Sequence, residues 1–276
     1  MARLAGAVAR GVLVVLLIAA PSLLTATTSP DSAQVVALVA IAAALLTAVE
    51  YSSSSPCLYE FRDAPPFNRI RFASLFAMVF LMSVLVRGQA APTSMSLFVE
   101  GIGGFMGKAI DFRYSPVRLV VLLLPEDADI RQLLLLRAAA GLAYVISLIS
   151  LIVFFVVMRV KNWPLNSGDF NVWINLPTFD PTSGGDVVER LERDSRVNVA
   201  LGFLLPFLMP VLIESASSLF GAVTLENPQT MIWMVAAWAF LPASLFMRGM
   251  ALGRLAAIIA AKRRSSSQDE SGFVPA

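Results

Sequence analysis

Histidine is absent from all 276 residues, and cysteine occurs once, at Cys57. Without imidazole there is no His-ligated haem, no HExxH zinc site and no Ser-His or Cys-His nucleophile pair. A single thiol excludes an intramolecular disulfide and every multi-cysteine metal site. Charge is scarce as well: Asp, Glu, Lys and Arg make up 14% of the chain, with a net charge of +2, where soluble domains carry about 25% charged residues. No basic stripe interleaved with aromatics is present, so nucleic acid is excluded as a partner. No cofactor and no metal site are expected, and the chain is read as non-enzymatic.

What fills the chain instead is apolar. Hydrophobic residues reach 57%, and the mean hydropathy is +0.75. A soluble globule of this length could not hide that excess from water, but lipid can. A helical span needs about 20 mainly apolar residues. Six stretches qualify: Gly11–Thr27, Ala33–Val49, Phe72–Val86, Ala138–Met158, Val197–Val223 and Met231–Met247. The third is short and borrows flanking residues. The expected fold is therefore an all-α polytopic membrane helix bundle, a single transmembrane domain over residues 1–264 followed by a disordered polar tail, 265–276. Arg3 and Arg10 before the run Gly11–Ala20 resemble a signal peptide. A cut after Ala26 would put Leu24 at a position that requires a small residue, so the first span is expected to stay.

Lys and Arg concentrate in cytoplasmic segments. The connections Thr28–Ser32 and Thr224–Thr230 contain neither, while Arg3, Arg10, Arg62, Arg69, Arg71, Arg159, Lys161, Arg190 and the basic residues up to Arg264 all fall on one side of a six-span arrangement. Both termini are expected in the cytoplasm. The long Arg87–Arg131 stretch opposes the trend, but long segments obey the rule weakly. A bacterial inner membrane is the expected home, inferred from the lack of eukaryotic sorting signals.

Between the spans, Ser94–Phe112 reads as an amphipathic helix broken by Gly101, Gly103, Gly104 and Gly107. It is either a re-entrant element lining a cavity or an interfacial helix on the outer leaflet. Pro125, Glu126, Asp127 and Asp129 suit a helix start, placing the beginning of the fourth helix near Pro125. In the Lys161–Arg196 loop, Phe170, Val172, Ile174 and Leu176 alternate with polar or aromatic residues at a strand-like period. Asp186 and Glu189 have capping-box spacing. This loop is either a partner-docking surface or a lid on the bundle itself. No shared motif supports an inverted repeat.

Pro206, Pro210 and Glu214 recur every four residues in the fifth span and so share a face. Each proline removes a donor and bends the helix. Ser215, Ser217 and Ser218 follow, able to bond the freed carbonyls. An intramembrane carboxylate is by default a functional candidate. Arg137, near the outer end of the fourth span, is the expected ion-pair partner of Glu214 at similar depth in an antiparallel helix pair; the other reading is a proton or ion site. Ala37, Ala40, Ala44 and Ala48 form a small-residue stripe, and Gly249-Met-Ala-Leu-Gly253 is a GxxxG, both suited to close helix packing. The stripe is expected to bury the second span among other helices. Trp233 suits the interfacial belt, and Trp238, five residues deeper, is expected to pack.

Enzyme-like fragments fail. Ser183-Gly-Gly-Asp186 matches a GxGD aspartyl-protease motif only superficially and has no second intramembrane aspartate. Lys108 beside Ser94 or Ser96 would be a Ser-Lys dyad, with nothing in the sequence to fix its geometry. The acids at 126, 127 and 129 are better read as helix-start charges than as a cation site. Two functions remain: a non-enzymatic scaffold, assembly or regulatory subunit, with lipid and other membrane-protein subunits as partners, or a small transporter or channel using Glu214 and the Pro-kinked fifth helix.

Overall fold

The computed structural model describes residues 2–25, 29–54, 58–164, 171–177, 179, 184–220, 225 and 227–271. These form nine helical elements: α1 (Ala2–Leu24), α2 (Pro30–Ser52), α3 (Phe67–Ala90), α4 (Ser94–Ile110), α5 (Pro116–Val121), α6 (Ile130–Val160), α7 (Val172–Asn175), α8 (Val187–Phe220) and α9 (Pro228–Ser271). Six of them, α1, α2, α3, α6, α8 and α9, are long and apolar enough to cross a membrane. The chain is a multi-pass integral membrane protein.

Helix starts follow from local side-chain chemistry. Ser29, Thr93 and Ser115 each accept a hydrogen bond from the backbone N–H three residues on, and a proline sits at the first turn of α2 and α5. Thr93 and Ser96 complete a reciprocal capping box. Asn227 Oδ1 accepts from the N–H groups of Gln229 and Thr230 at the start of α9. Asp186 Oδ1 accepts from Val188 N–H at 2.7 Å at the start of α8.

Long helices successive in the chain run in opposite directions. Arg3 Nη2 donates to Ser53 O at 2.5 Å, so the start of α1 meets the end of α2. Arg248 of α9 pairs with Glu60, just before α3. These contacts, with those of Trp163 and Asp186, define one end of the bundle, here the basic end. At the far end, Gln229 Nε2 donates to Ser22 Oγ at 3.0 Å, joining the start of α9 to the close of α1. The α8–α9 pair is the most extensive contact, and α3, α6 and α9 form the middle of the bundle.

Two buried cores result. One fills the middle and far end with Met78, Met82, Leu136, Ala139, Ala236 and Trp238 among others. The second sits at the basic end, where Phe61, Phe67, Phe154 and Trp163 meet ring to ring, with centroids 4.5–6.3 Å apart.

Several expectations change. Residues 171–176 are not a strand: Asn171 Oδ1 accepts from Ile174 N–H and Asn171 O from Asn175 N–H, winding the turn α7. Phe170 lies outside the described residues. The segment 94–110 is one unbroken helix, because Gly103 and Gly107 face α6 rather than interrupting the backbone. The helix expected near Pro125 begins at Ile130. Pro125 O accepts from Ala128 N–H in a turn, and Asp129 is the extended N-cap. The tail is helical to Ser271, continuing α9 with no breaker after Arg264.

Candidate functional site

The helix α8, which carries Pro206 and Pro210 in its interior, is held by a group the sequence did not assign to it. In an α-helix each carbonyl accepts from the N–H four residues on, and for Pro206 that residue is Pro210, which has none. The orphaned Pro206 carbonyl receives the indole N–H of Trp238 on α9, at 2.9 Å. Trp238 is buried and stacks on Tyr144 of α6, with centroids 5.7 Å apart. Ser215, expected to serve a freed carbonyl, instead donates to Val211 O within its own helix. The side chains of Ser217 and Ser218 lie outside the described residues.

Glu214 and Arg137 do not meet. From Pro206 to Glu214 is about 12 Å along α8, and from Tyr144 back to Arg137 is about 10 Å along α6. Both therefore lie at similar distance from the Trp238 contact, but α6 and α8 do not pack on each other. Glu214 is exposed on the outer surface of α8 and has no ion-pair partner among the described residues. Arg137 Nη1 instead lies 3.7 Å from Asp111 Oδ2, and Arg118 Nε lies 3.0 Å from Asp111 Oδ1. The nearer contact is not aligned as a hydrogen bond. The acid that meets Arg137 comes from the close of α4, because Gly107 brings that helix against the Arg137 backbone.

The small residues mark specific contacts. A Cβ on Gly249 would meet Ser195 O at 2.8 Å and Val199 N at 2.9 Å, and one on Gly253 would meet Ser195 Oγ at 2.8 Å. Ser195 Oγ donates to Gly249 O at 2.7 Å across the same contact. Ala40 is buried, and Ala44 and Ala48 half-buried, on the face of α2 turned toward α1. A Cβ on Gly11 would meet Ala44 O at 3.0 Å. The expectation that α2 lies buried among several helices fails: it packs on α1 alone among the helices, and most of its surface is exposed.

No family model matches the chain, and neither the curated proteins nor the solved structures give a match. The functional reading therefore rests on the molecule's own geometry.

The basic end holds a knot of polar contacts that periodicity and spacing missed. Arg248 binds Glu60 through two donors, at 2.6 and 2.8 Å. Trp163 Nε1 donates to Ala64 O at 3.0 Å, Phe61 N–H to Asn175 O at 2.7 Å, and Asp63 N–H to Asn175 Oδ1 at 3.0 Å. Arg62 donates to Glu50 O and Ser53 O, capping the close of α2. Arg71 sits over the faces of Phe67 and Phe240, at 5.3 and 5.9 Å. Leu176 and Phe179 are buried in the same core, so this part of the 161–196 loop is a lid on its own bundle. The Asp186 carboxyl is held below the usual carboxylate range by Val188 N–H and by Arg263, 2.8 Å away.

Ser96 Oγ is used in the capping box, and Lys108 is about 18 Å further along the same helix. Ser94 is about 21 Å from Lys108 along that helix, so neither serine pairs with it.

Proposed function

We propose that this chain is a non-enzymatic structural or assembly subunit of a membrane complex, and that α8 is its docking helix. One observation carries the reading: the outer face of α8. Val197, Leu201, Leu204, Leu208 and Val211 recur alternately four and three residues apart, and each is 41–50% exposed. That is the seam spacing of helix pairs. Glu214 lies exposed beside the far end of this seam. Carboxylates within membranes almost always face protein or a wet cavity, so one on the outer surface calls for a donor from a second chain. The proposed orientation puts the basic end in the cytoplasm, supported by the distribution of Lys and Arg, and the proposed home is a bacterial inner membrane.

The transport alternative needs Glu214 and a mobile kink in α8. The bond from Trp238 to Pro206 counts against a free hinge. A photo-crosslinking residue at Leu204 or Val211, in native membranes, should yield one discrete adduct with a second membrane protein. Glu214→Gln should weaken it, while a crosslinker at Leu241, exposed on α9, should not give it. Glu214-dependent ion flux by the purified chain in proteoliposomes would overturn the scaffold reading in favour of transport. For orientation, reporter fusions after Thr28 and after Glu226 should both report the periplasmic side.

A further inference from the structure

The helix α4 presents three different faces. At about 100° per residue, Ser96, Val99, Gly103 and Gly107 share one side, and all four are buried. One flank carries Met95, Phe98, Ile102 and Phe105, of which Phe98 is 63% and Phe105 76% exposed. The other flank carries Glu100, Gly101, Gly104 and Lys108, with Leu97 the only large apolar residue there.

Both ends of α4 are tied to the far end of the bundle. At its start, a Cβ on Gly88, near the close of α3, would meet Ser96 Cβ at 2.6 Å. At its close, Asp111 pairs with Arg137, in the second turn of α6. A helix of this length is about 25 Å long, so one plunging toward the basic end would finish far deeper. Gly103 and Gly107, one turn apart on α4, meet the same short stretch of α6. A Cβ on Gly103 would touch Ala138 O at 3.1 Å, and one on Gly107 would touch Arg137 O at 2.5 Å. Helices running side by side would shift by a full turn, so α4 crosses α6.

The contacts also say which flank faces which way. Gly107, at the centre of the contact, meets both Arg137 and Gly141, one turn apart on α6. On the apolar-flank side, Ile102 and Met106 pack against the core that fills the middle of the bundle. The apolar flank is therefore turned toward the middle of the bundle and the polar flank away from it.

We infer that α4 is an interfacial helix, lying across the far end of the spans, whose partner is the headgroup and upper acyl region of that leaflet. The phenylalanines enter the acyl layer, and Glu100 and Lys108 face water. Large apolar side chains on one flank and charges on the other are what such a helix needs. This inference is independent of what binds α8.

The test uses the full chain in liposomes of phosphatidylcholine and phosphatidylglycerol, with Cys57→Ser and single cysteines carrying nitroxide labels. Phe98→Cys and Phe105→Cys probe one flank, Gly101→Cys and Gly104→Cys the other. The glycine sites accept a side chain, since a Cβ at either meets nothing within 4 Å. Labels at 98 and 105 should be several-fold more accessible to oxygen than to a water-soluble nickel complex, and labels at 101 and 104 the reverse. A depth that increases steadily from 98 to 105 on both flanks would overturn the inference in favour of a re-entrant helix. Nickel access on both flanks would place α4 in water and also overturn it. Wild-type protein footprinted with a carbene-generating phospholipid supplies the same answer without substitution: adducts at Met95, Phe98 and Phe105 are expected, and their absence from α4 rejects the inference.

Discussion

A single missing N–H, that of Pro210, decides what Trp238 does. Its indole N–H takes the freed Pro206 carbonyl as its partner. Interhelical hydrogen bonds in membranes average about 0.6 kcal/mol and reach about 1.7. Trp238→Phe keeps the ring over Tyr144 and removes the donor, so it should destabilise the protein by roughly that range, read as thermal unfolding in detergent. Trp238→Ala should cost about 3–5 kcal/mol, because a cavity is added to the lost bond. At the start of α8, Asp186 has a pKa lowered first by Val188 N–H and then by Arg263. A depressed carboxyl favours the folded start of α8 above the ordinary aspartate pKa. That contribution fades as the pH falls through the lower folded value. A carbon NMR titration of Asp186 should therefore show a midpoint below the usual range, moving upward in Arg263→Gln.

At the level of helices, the glycines of α4 supply a paired experiment. A Cβ on Gly107 would sit 2.5 Å from Arg137 O, whereas one on Gly104 meets nothing within 4 Å. Gly107→Ala should cost about 1–3 kcal/mol by forcing α4 off α6. Gly104→Ala should be neutral or stabilise by up to about 1 kcal/mol, since alanine is the better helix former. Equal melting shifts for the two would contradict the close α4–α6 crossing. The six long helices were legible because lipid demands length and apolarity, and both are written locally. The caps were legible for the same reason at Asp186. Neighbour choice was not: Arg137 was placed at the right level but against the wrong helix, since depth follows from counting residues and lateral order does not. The four-residue turn α7 was misread because Val172, Ile174 and Leu176 alternate as a strand does, while one asparagine cap outweighs that pattern. The donor for Pro206 was hidden too. The vacant carbonyl could be counted from the proline spacing, but nothing local points to a tryptophan on the next helix.

Across the whole molecule, stability is unevenly shared. The α1–α2 hairpin closes on itself through Gly11 and Ala44, and α2 touches no other helix among the described residues. Ala44→Leu should part this hairpin, at about 1–3 kcal/mol, while leaving the α8–α9 contact intact. Disulfide trapping between cysteines at Ala7 and Ala48, beside the thermal unfolding of the whole protein in detergent, would distinguish local loosening from general unfolding. The polar knot at the basic end works over far greater distances along the chain. Glu60 waits for Arg248, 188 residues later, and Ala64 O waits for Trp163, 99 residues later. At a synthesis rate of about 5–20 residues per second, Glu60 spends roughly 10–40 s on a growing chain without its guanidinium. The early helices are thus made and free to enter the bilayer well before the protein can lock. A ribosome stalled ahead of Arg248 would leave behind a chain that has entered the bilayer yet still shows an open end to the proteases that survey it.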